Sequence, residues 1–298
     1  MNVFPFIEAE KAGQDGNVAK ACCLLEVSRS AFYEWSSHKP SRRQLDDQAL
    51  GERIQAIYDE SRGTYGCPRV HVGLRRQGIH VGRKRVARIM RQKGLIGRCR
   101  RKWTKTTISD PDAVAVDLIK RAFGPGTVEL DRIYVGDITY IWTWEGWAYL
   151  ASVIDLASRR VVGWALGDHM RAELVCDALS MTIDTRRPAP GLIFHSDRGT
   201  QYTSAQFGEL LDANKMTQSL SRPRQCWDNA VAESWFATLK GELIDRRSWA
   251  TRAQVRAAVF EFIEVFYNRQ RLHSSLGYLT PAEYEAKSIH HHPAAQAA

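Results

Sequence analysis

The hydrophobic period of the chain changes at Gly124-Pro125-Gly126, and that change imposes two kinds of architecture on one molecule. Before the break, apolar residues recur at the spacing that gathers them on one face of a helix. After it come Ile133 to Trp142, Trp147 to Ile154 and Arg160 to Leu166, runs rich in β-branched and aromatic side chains. The connections at Glu145-Gly146 and Ala157-Ser158 suit an antiparallel meander. A chain of 298 residues is long enough for two domains at roughly 150 residues each, one on either side of the break.

In the helical half, Val18, Ala21, Cys22 and Leu25 keep one stripe, and Ser28 can cap a second helix bearing Phe32 and Trp35. Residues 1–38 thus read as a helix-turn-helix-like segment, followed by a linker at Lys39–Arg43. Residues 39–109 read as a basic helical DNA-binding region. Leu50, Ile54 and Ile57 lie on one helix, Pro68 opens the next, Gly78 stops it, and a third runs from Arg83 to Lys93 between Gly82 and Gly94. On that third helix Val86, Ile89 and Met90 form the apolar stripe; Lys84, Arg88 and Arg91 point away from it, flanked by Arg83 and Arg85. Residues 61–109 carry 15 Lys and Arg and no acid, while the rest of the chain has 27 basic against 33 acidic residues. One segment therefore accounts for the net charge of +9, and its exclusion of acids predicts phosphate contacts rather than a merely solvated face. Asp110 to Phe123 reads as a bridging helix, so residues 110–126 form a linker helix and break.

Beyond the meander, Ala172–Thr185 and Ser204–Ala213 read as helices, Gly191–His195 and Met216–Leu220 as short strands, and Asn229–Ile244 and Arg252–Tyr267 as long amphipathic helices. The order predicts an α/β domain over residues 127–285, a mixed sheet with helices on its faces, and a disordered tail at 286–298. No apolar run approaches the roughly 18 residues of a membrane span, and no secretory signal is visible, which predicts a cytoplasmic protein. The six cysteines include no Cys-x-x-Cys pair, so reduced thiols are expected rather than disulfides or structural zinc.

Three acids occupy positions a core would not choose. Asp137 interrupts the first strand, Asp197 follows Leu192-Ile193-Phe194, and Glu233 rides on an otherwise apolar helix. A buried carboxylate is costly without a cation. If the first and fourth strands lie side by side, Asp137 and Asp197 meet, and like charges that close call for a divalent metal. Glu233 and Lys240 are seven residues apart, hence about 20° apart around the helix axis, and can face one cleft. Oxygen-only ligation suits magnesium or manganese, and a pair of such ions can serve phosphodiester displacement. Each acid also has an ordinary reading: a turn acid for Asp137, a partner of Arg198 for Asp197, a partner of Lys240 for Glu233. Asp155 reads as a turn residue and Asp228-Asn229 as a helix cap. A non-catalytic DNA-binding regulator and a structure-selective nuclease remain the alternative functions.

These residues lie in five blocks: Gly-Asp-Ile-Thr-Tyr-Ile (136–141), Val-Ile-Asp-Leu-Ala-Ser-Arg-Arg (153–160), His-Ser-Asp-Arg-Gly-Thr-Gln-Tyr (195–202), Asp-Asn-Ala-Val-Ala-Glu-Ser-Trp-Phe-Ala-Thr-Leu-Lys (228–240) and Tyr-Asn-Arg-Gln-Arg-Leu-His-Ser-Ser-Leu-Gly-Tyr (267–278). With 59 residues between the two Asp, 35 before the Glu and a Lys seven beyond it, the chain resembles the transposases of bacterial insertion sequences. The likeness is to the second-frame catalytic protein (orf B) of the IS-three family, in the DDE or retroviral-integrase superfamily, and covers about residues 1–285. It implies a ribonuclease H-like core in which Asp137, Asp197 and Glu233 hold two magnesium ions, with manganese as a substitute. It also implies a DNA-backbone contact from Lys240, and 3′-end cleavage by water followed by strand transfer without a covalent protein intermediate. The implied partners are insertion-sequence ends, target DNA, further copies of the chain and an upstream-frame protein, at the nucleoid. Asp131 and Tyr134 stand where the family usually has Asn and Trp.

Overall fold

The computed structural model describes residues 3–11, 17–37, 40–98, 128–221 and 230–291. The expected bridging helix at Asp110–Phe123, the Gly124-Pro125-Gly126 break, the basic stretch beyond Arg98 and the Asp228-Asn229 cap lie outside the described residues.

At the N-terminus α1 (Phe4–Lys11), α2 (Val18–Leu24) and α3 (Arg29–Ser36) close around Ile7, Cys22 and Phe32. Asn17 caps α2 by accepting from the Lys20 amide at 3.0 Å. The pair expected at residues 17–36 is thus part of a three-helix cluster whose first helix has little periodic signal of its own and is fixed by burial of Ile7. Next, α4 (Arg42–Glu60) opens on a capping box: Ser41 Oγ accepts from the Gln44 amide at 3.3 Å, and Gln44 Oε1 accepts from the Ser41 amide at 2.7 Å. The helix therefore begins at Arg42, inside the stretch expected as linker. Pro68 lies in the first turn of α5 (Cys67–Arg76), and α6 (Arg83–Gln92) ends at Gly94, whose φ of +67° suits a residue without a Cβ. Ile54, Ile57, Val70, Leu74, Val86, Ile89 and Met90 fill the space between α4, α5 and α6.

The second half is built on strands β1 (Ile133–Thr143), β2 (Gly146–Asp155), β3 (Val161–Gly167), β4 (Ile193–Ser196) and β5 (Thr217–Leu220), in the order β3-β2-β1-β4-β5. The first three pair antiparallel; β1 with β4 and β4 with β5 pair parallel. Parallel neighbours require crossovers, supplied by α7 (Ala172–Arg186) and α8 (Ala205–Ala213). Alternation along β1 sends Tyr134 into a core with Val153, Leu179, Phe194 and Phe207. Ile133, Val135 and Ile141 belong to the other core, with α9 (Ala230–Glu242), α10 (Arg252–Phe260) and the π-helical turns Glu261–Tyr267 that continue it. That second core is continuous with the interior of α4–α6. Hydrogen bonds reinforce the junction: Tyr65 Oη donates to the Gln270 carbonyl (3.2 Å) and accepts from the Leu272 amide (2.8 Å), and Arg76 forks onto Glu283.

The chain does not dissolve into a tail at residue 286. Helix α11 runs from Pro281 to His291, and only residues 292–298 of the expected tail fall outside the description. Thr280-Pro281-Ala282-Glu283 is a capping box with proline in the first turn, a signal present in the sequence: the Thr280 amide donates to Glu283 Oε2 (2.8 Å) and the Glu283 amide to Thr280 Oγ1 (3.1 Å). Glu285 then anchors the helix to the core by accepting from Ser158 Oγ (3.1 Å), Arg160 (2.5 Å) and Arg186 (3.0 and 3.1 Å). Cys22, Cys23, Cys67 and Cys176 are free thiols, and no helix among the described residues is long and apolar enough to cross a membrane.

Helix α7 lies so close to β3 that a Cβ on Gly163 would sit 2.0 Å from Thr182 Oγ1 and 2.3 Å from the Ala178 carbonyl oxygen. Gly163→Ala should therefore destabilise the protein by about 1–3 kcal/mol, the usual scale of overpacking. An unshifted urea midpoint would contradict this approach of helix to strand.

Candidate active site

The register between β1 and β4 is the first geometric fact of the site. Val135 pairs with His195, so Asp137 and Asp197 both stand two residues beyond that rung on strands roughly 4.8 Å apart. Strand β4 ends at Ser196, and Asp197 turns the chain by accepting from the Gly199 amide at 3.0 Å. Gly136 is required beneath the pair, since a Cβ there would lie 2.5 Å from the Phe194 ring and 3.2 Å from that of Tyr202. Arg198, the neighbour that offered Asp197 an ordinary partner, donates instead to the Ser221 carbonyl (2.9 Å). His195 is held between Ser219 (3.0 Å) and Ser221 (3.1 Å).

Helix α9 brings the third acid. Trp235, buried with Ala232 and Leu239, donates from Nε1 to Ser152 Oγ at 3.0 Å and seats the helix on β2. The electrostatics of Asp137 record where Glu233 and Lys240 then lie. Burial pushes the Asp137 carboxyl up to about 7; the Ile138 amide, at 2.8 Å, pulls it down; the charges of Asp197 and Glu233 raise it, and Lys240 lowers it. Asp197, just beyond β4, and Glu233 and Lys240 of α9 thus lie within electrostatic reach of Asp137. Burial, and then the same Asp137 and Asp197 charges, also raise Tyr202 well above its ordinary range. Lys240 Nζ stands 5.2 Å from the centroid of the Tyr140 ring.

Among the described residues no group of three or more Asp, Glu, His and Cys is placed to hold a metal ion. The acids whose charges act on Asp137 are the carboxylates of Asp197 and Glu233; carboxylate oxygen is the donor that hard divalent cations prefer, and the repulsion at Asp137 is what such a cation would relieve. Asp155, by contrast, is a turn acid as its sequence setting predicts, accepting from the Ser158 amide (2.6 Å), Ser158 Oγ (2.9 Å) and the Asp131 amide (2.9 Å). The departures at Asp131 and Tyr134 are structural: Tyr134 Oη donates to Asp131 at 2.5 Å, and Arg186 forks onto the same carboxylate at 2.9 and 3.0 Å.

The basic helix divides in two. Arg85 and Arg88 are half-buried and bind Asp47 of α4 at 2.7 and 2.6 Å, holding its carboxyl below the usual range. Their first role is to fasten α6 to α4, a pairing across 38 and 41 residues that helical periodicity could not reveal. Arg83, Lys84 and Arg91 remain exposed. A group of arginines that the sequence motifs did not single out (Arg69, Arg159 and Arg271) lines a cavity of ≈ 1070 Å³ beside α9. Arg159 and Arg271 lie within the quoted blocks, which was the available signal.

A family model described as an integrase core domain matches residues 129–226, a second integrase core domain model matches 214–281, and an HTH-like domain model matches 44–103. The last falls on α4–α6, the basic helical region. The chain is 38% identical over 267 residues to the 31 kDa protein of insertion element IS600 of Shigella sonnei, covering 89% of this chain and 97% of that protein. It is 37% identical over 292 residues to the transposase InsF for insertion sequence IS3A of Escherichia coli (strain K12), covering 96% and 99%. The transposase for insertion sequence element IS904 of Lactococcus lactis is 36% identical over 253 residues, 83% of this chain and 97% of that protein. Among solved structures, the HTLV-2 integrase catalytic core domain in complex with magnesium aligns with a TM-score of 0.41 at 15% identity, over 55% of this chain and 99% of that one.

Two expectations follow from the geometry. A carboxyl raised in the folded state binds protons more tightly there than in the unfolded chain, so stability falls as pH rises from its ordinary value toward about 7. In metal-free protein Asp137→Asn should raise the melting temperature above about pH 7 and change it little near pH 4; the reverse trend would deny the crowding of negative charge. Replacing Arg83, Lys84 and Arg91 together by Ala should reduce the slope of log K against log salt for duplex DNA by up to about 2.7, or 0.9 for each phosphate no longer neutralised. An unchanged slope would return them to a solvated face.

Proposed function

Because the chain belongs to the IS3 family of insertion-sequence transposases, we propose that Asp137, Asp197 and Glu233 are its catalytic carboxylates and that they hold two magnesium ions, replaceable by manganese. The chain is a transposase with a ribonuclease H-like integrase core, acting in DNA transposition. The observation that carries the assignment is the β1–β4 register, which sets Asp137 beside Asp197, with the charges of Glu233 and Lys240 also acting on a half-buried Asp137. Bound divalent ions would supply electrostatic stabilisation of the transferring phosphoryl group and favour an ionised attacking oxygen.

The chain's own groups set the geometry. Asp137 and Asp197 are fixed by adjacent strands, whereas Glu233 comes from α9, so the DNA backbone would lie between strand ends and helix. Lys240, its ammonium beside the Tyr140 ring, would bind a phosphate next to the scissile bond. In the first step water attacks phosphorus at the element end, the bond from phosphorus to the 3′ oxygen breaks, and a 3′-hydroxyl is freed. In the second, that hydroxyl attacks a target phosphodiester, forming a new phosphorus–oxygen bond and releasing the target's 3′ oxygen; the protein forms no covalent bond. Helices α4–α6, through Arg83, Lys84 and Arg91, would hold the element ends. Further copies of the chain and an upstream-frame protein would complete the assembly at the nucleoid, within the cytoplasm.

Asp137→Asn should lower magnesium-dependent cleavage of element ends by about a thousandfold or more, the scale of several kcal/mol of transition-state stabilisation, with DNA affinity nearly intact. Cleavage undiminished by that change would remove the site. Sequencing the products of the parent protein separates strand transfer, which joins ends, from a nuclease, which only hydrolyses them.

A further inference from the structure

The cavity of ≈ 1070 Å³ runs along the flank of α9 that carries Ser234, Thr238 and Gly241. Its walls come from separate parts of the chain: Arg69 from α5, Arg159 from the turn between β2 and β3, and Arg271 and His273 from the segment after the π-helical turns. Among the described residues five cations line it (Arg69, Arg98, Arg159, Lys240 and Arg271) against two carboxylates, Glu242 and Asp245. Glu242 is already engaged by Arg271, in a buried fork of 2.8 and 2.7 Å. Lys240 stands at the border, lining the cavity while its charge acts on Asp137.

Within this cationic wall His273 is buried, with 7% of its surface exposed, and its Nε2 has no hydrogen-bond partner. The ring packs edge-on against Tyr267 with centroids 4.8 Å apart, and hydrogen-bonds the Tyr267 backbone carbonyl. Burial, and then the charges of Arg271, Arg69 and Arg159, push its pKa well below the ordinary range, so the ring is neutral. A bare buried nitrogen is a destabilising feature that native folds mostly avoid, and here it belongs to a residue that lines a cavity. Arg69 donates from Nε to the Leu272 carbonyl at 2.9 Å and lies over the Tyr65 ring, which holds the guanidinium at the wall. An anion is the ligand that answers both features, relieving the crowding of arginines and giving Nε2 a partner once that nitrogen is protonated.

We propose that this cavity receives a backbone phosphate of bound DNA, held by Arg69, Arg159 and His273, with His273 taking up a proton at Nε2 as the phosphate enters. The inference rests on DNA as the substrate, and is independent of the three carboxylates. Its consequence is positional: Arg69 belongs to the helix-turn-helix-like unit and Arg159 and His273 to the core, so one phosphate bridges the part that holds DNA and the part that cuts it. The groups facing the ring are Arg69 of α5, Arg159 of the β2–β3 turn, Arg271 and Tyr267 of its own segment and, through Arg271, Glu242 of α9.

The test uses the full chain and a short duplex of random sequence, with inorganic phosphate as a second probe. Arg69→Gln should weaken duplex binding and reduce its salt slope by about 0.9. The parent's affinity should decline as pH rises, a dependence that His273→Gln abolishes, and saturation with duplex should convert the His273 Nε2 signal in the NMR spectrum of the ring nitrogens to its protonated form. All three readouts report binding without cleavage, whereas the carboxylate assignment is read in magnesium-dependent cleavage, so failure of that assignment and failure of this one are seen separately. The proposal is overturned if His273 stays unprotonated in the duplex complex, if the Arg69→Gln slope equals the parent's, or if inorganic phosphate protonates the ring and duplex does not. The NMR measurement on the parent decides the matter even if a substitution prevents folding.

Discussion

The parallel pairing of β1 with β4 is the constraint on which the rest of the molecule turns. It sets Asp137 and Asp197 each two residues beyond the shared Val135–His195 rung, and two carboxylates so placed repel each other in a partly dehydrated setting. The surrounding structure resists that repulsion. Gly136 lets the Phe194 and Tyr202 rings close beneath the pair, and the Ile138 and Gly199 amides each donate to one of the two acids. Helix α9 adds a third acid and a lysine from the other side. The fold thus stores an excess of negative charge at the end of a short strand, where a divalent cation and a phosphodiester would each find a counterpart.

Elsewhere, buried charges are matched within the chain. Glu285 accepts from Ser158, Arg160 and Arg186; Arg186 also holds Asp131; Glu242 and Arg271 form a closed pair. Such pairs contribute little net stability over well-packed apolar groups, but removing one member leaves a charge stranded, so they fix α11, α7 and the segment after α10 in one arrangement. The contrast is one of setting: Asp131, Glu242 and Glu285 meet arginine forks, whereas the carboxyl of Asp137 lies within reach of two further acids and a lysine.

Much of the fold is legible along the chain, because its elements announce themselves locally. Ile133 to Trp142 reads as a strand and Val86, Ile89 and Met90 as a helix face for reasons of period alone, and both are found so. Asp155 reads as a turn acid and is one. What escapes is long-range or lies outside the usual markers. Arg85 and Arg88 look like two more phosphate ligands because nothing local shows that Asp47 returns to meet them. The end of helix α11 reads as a tail although Thr280-Pro281-Ala282-Glu283 carries a capping signal, since too few apolar residues follow to suggest a helix. The sequence assigns the α4–α6 region only a basic helical character, whereas the HTH-like domain model matches residues 44–103, because charge and period do not by themselves show how three helices pack.

By itself the sequence determined the division into a basic helical part and an α/β part, the element order and the identity of the candidate acids, all of which depend on residue type and spacing within a few turns or one strand. Only the tertiary structure decided which cations are engaged inside the protein and which stay on its surface. It alone brought the charges of Asp197, Glu233 and Lys240 within reach of Asp137, and it alone assembled arginines from α5, the β2–β3 turn and the segment after α10 around a buried histidine. The reason is physical: a charge's partner is chosen by distance through space, and side chains tens or hundreds of residues apart become neighbours only when sheet and helices have packed.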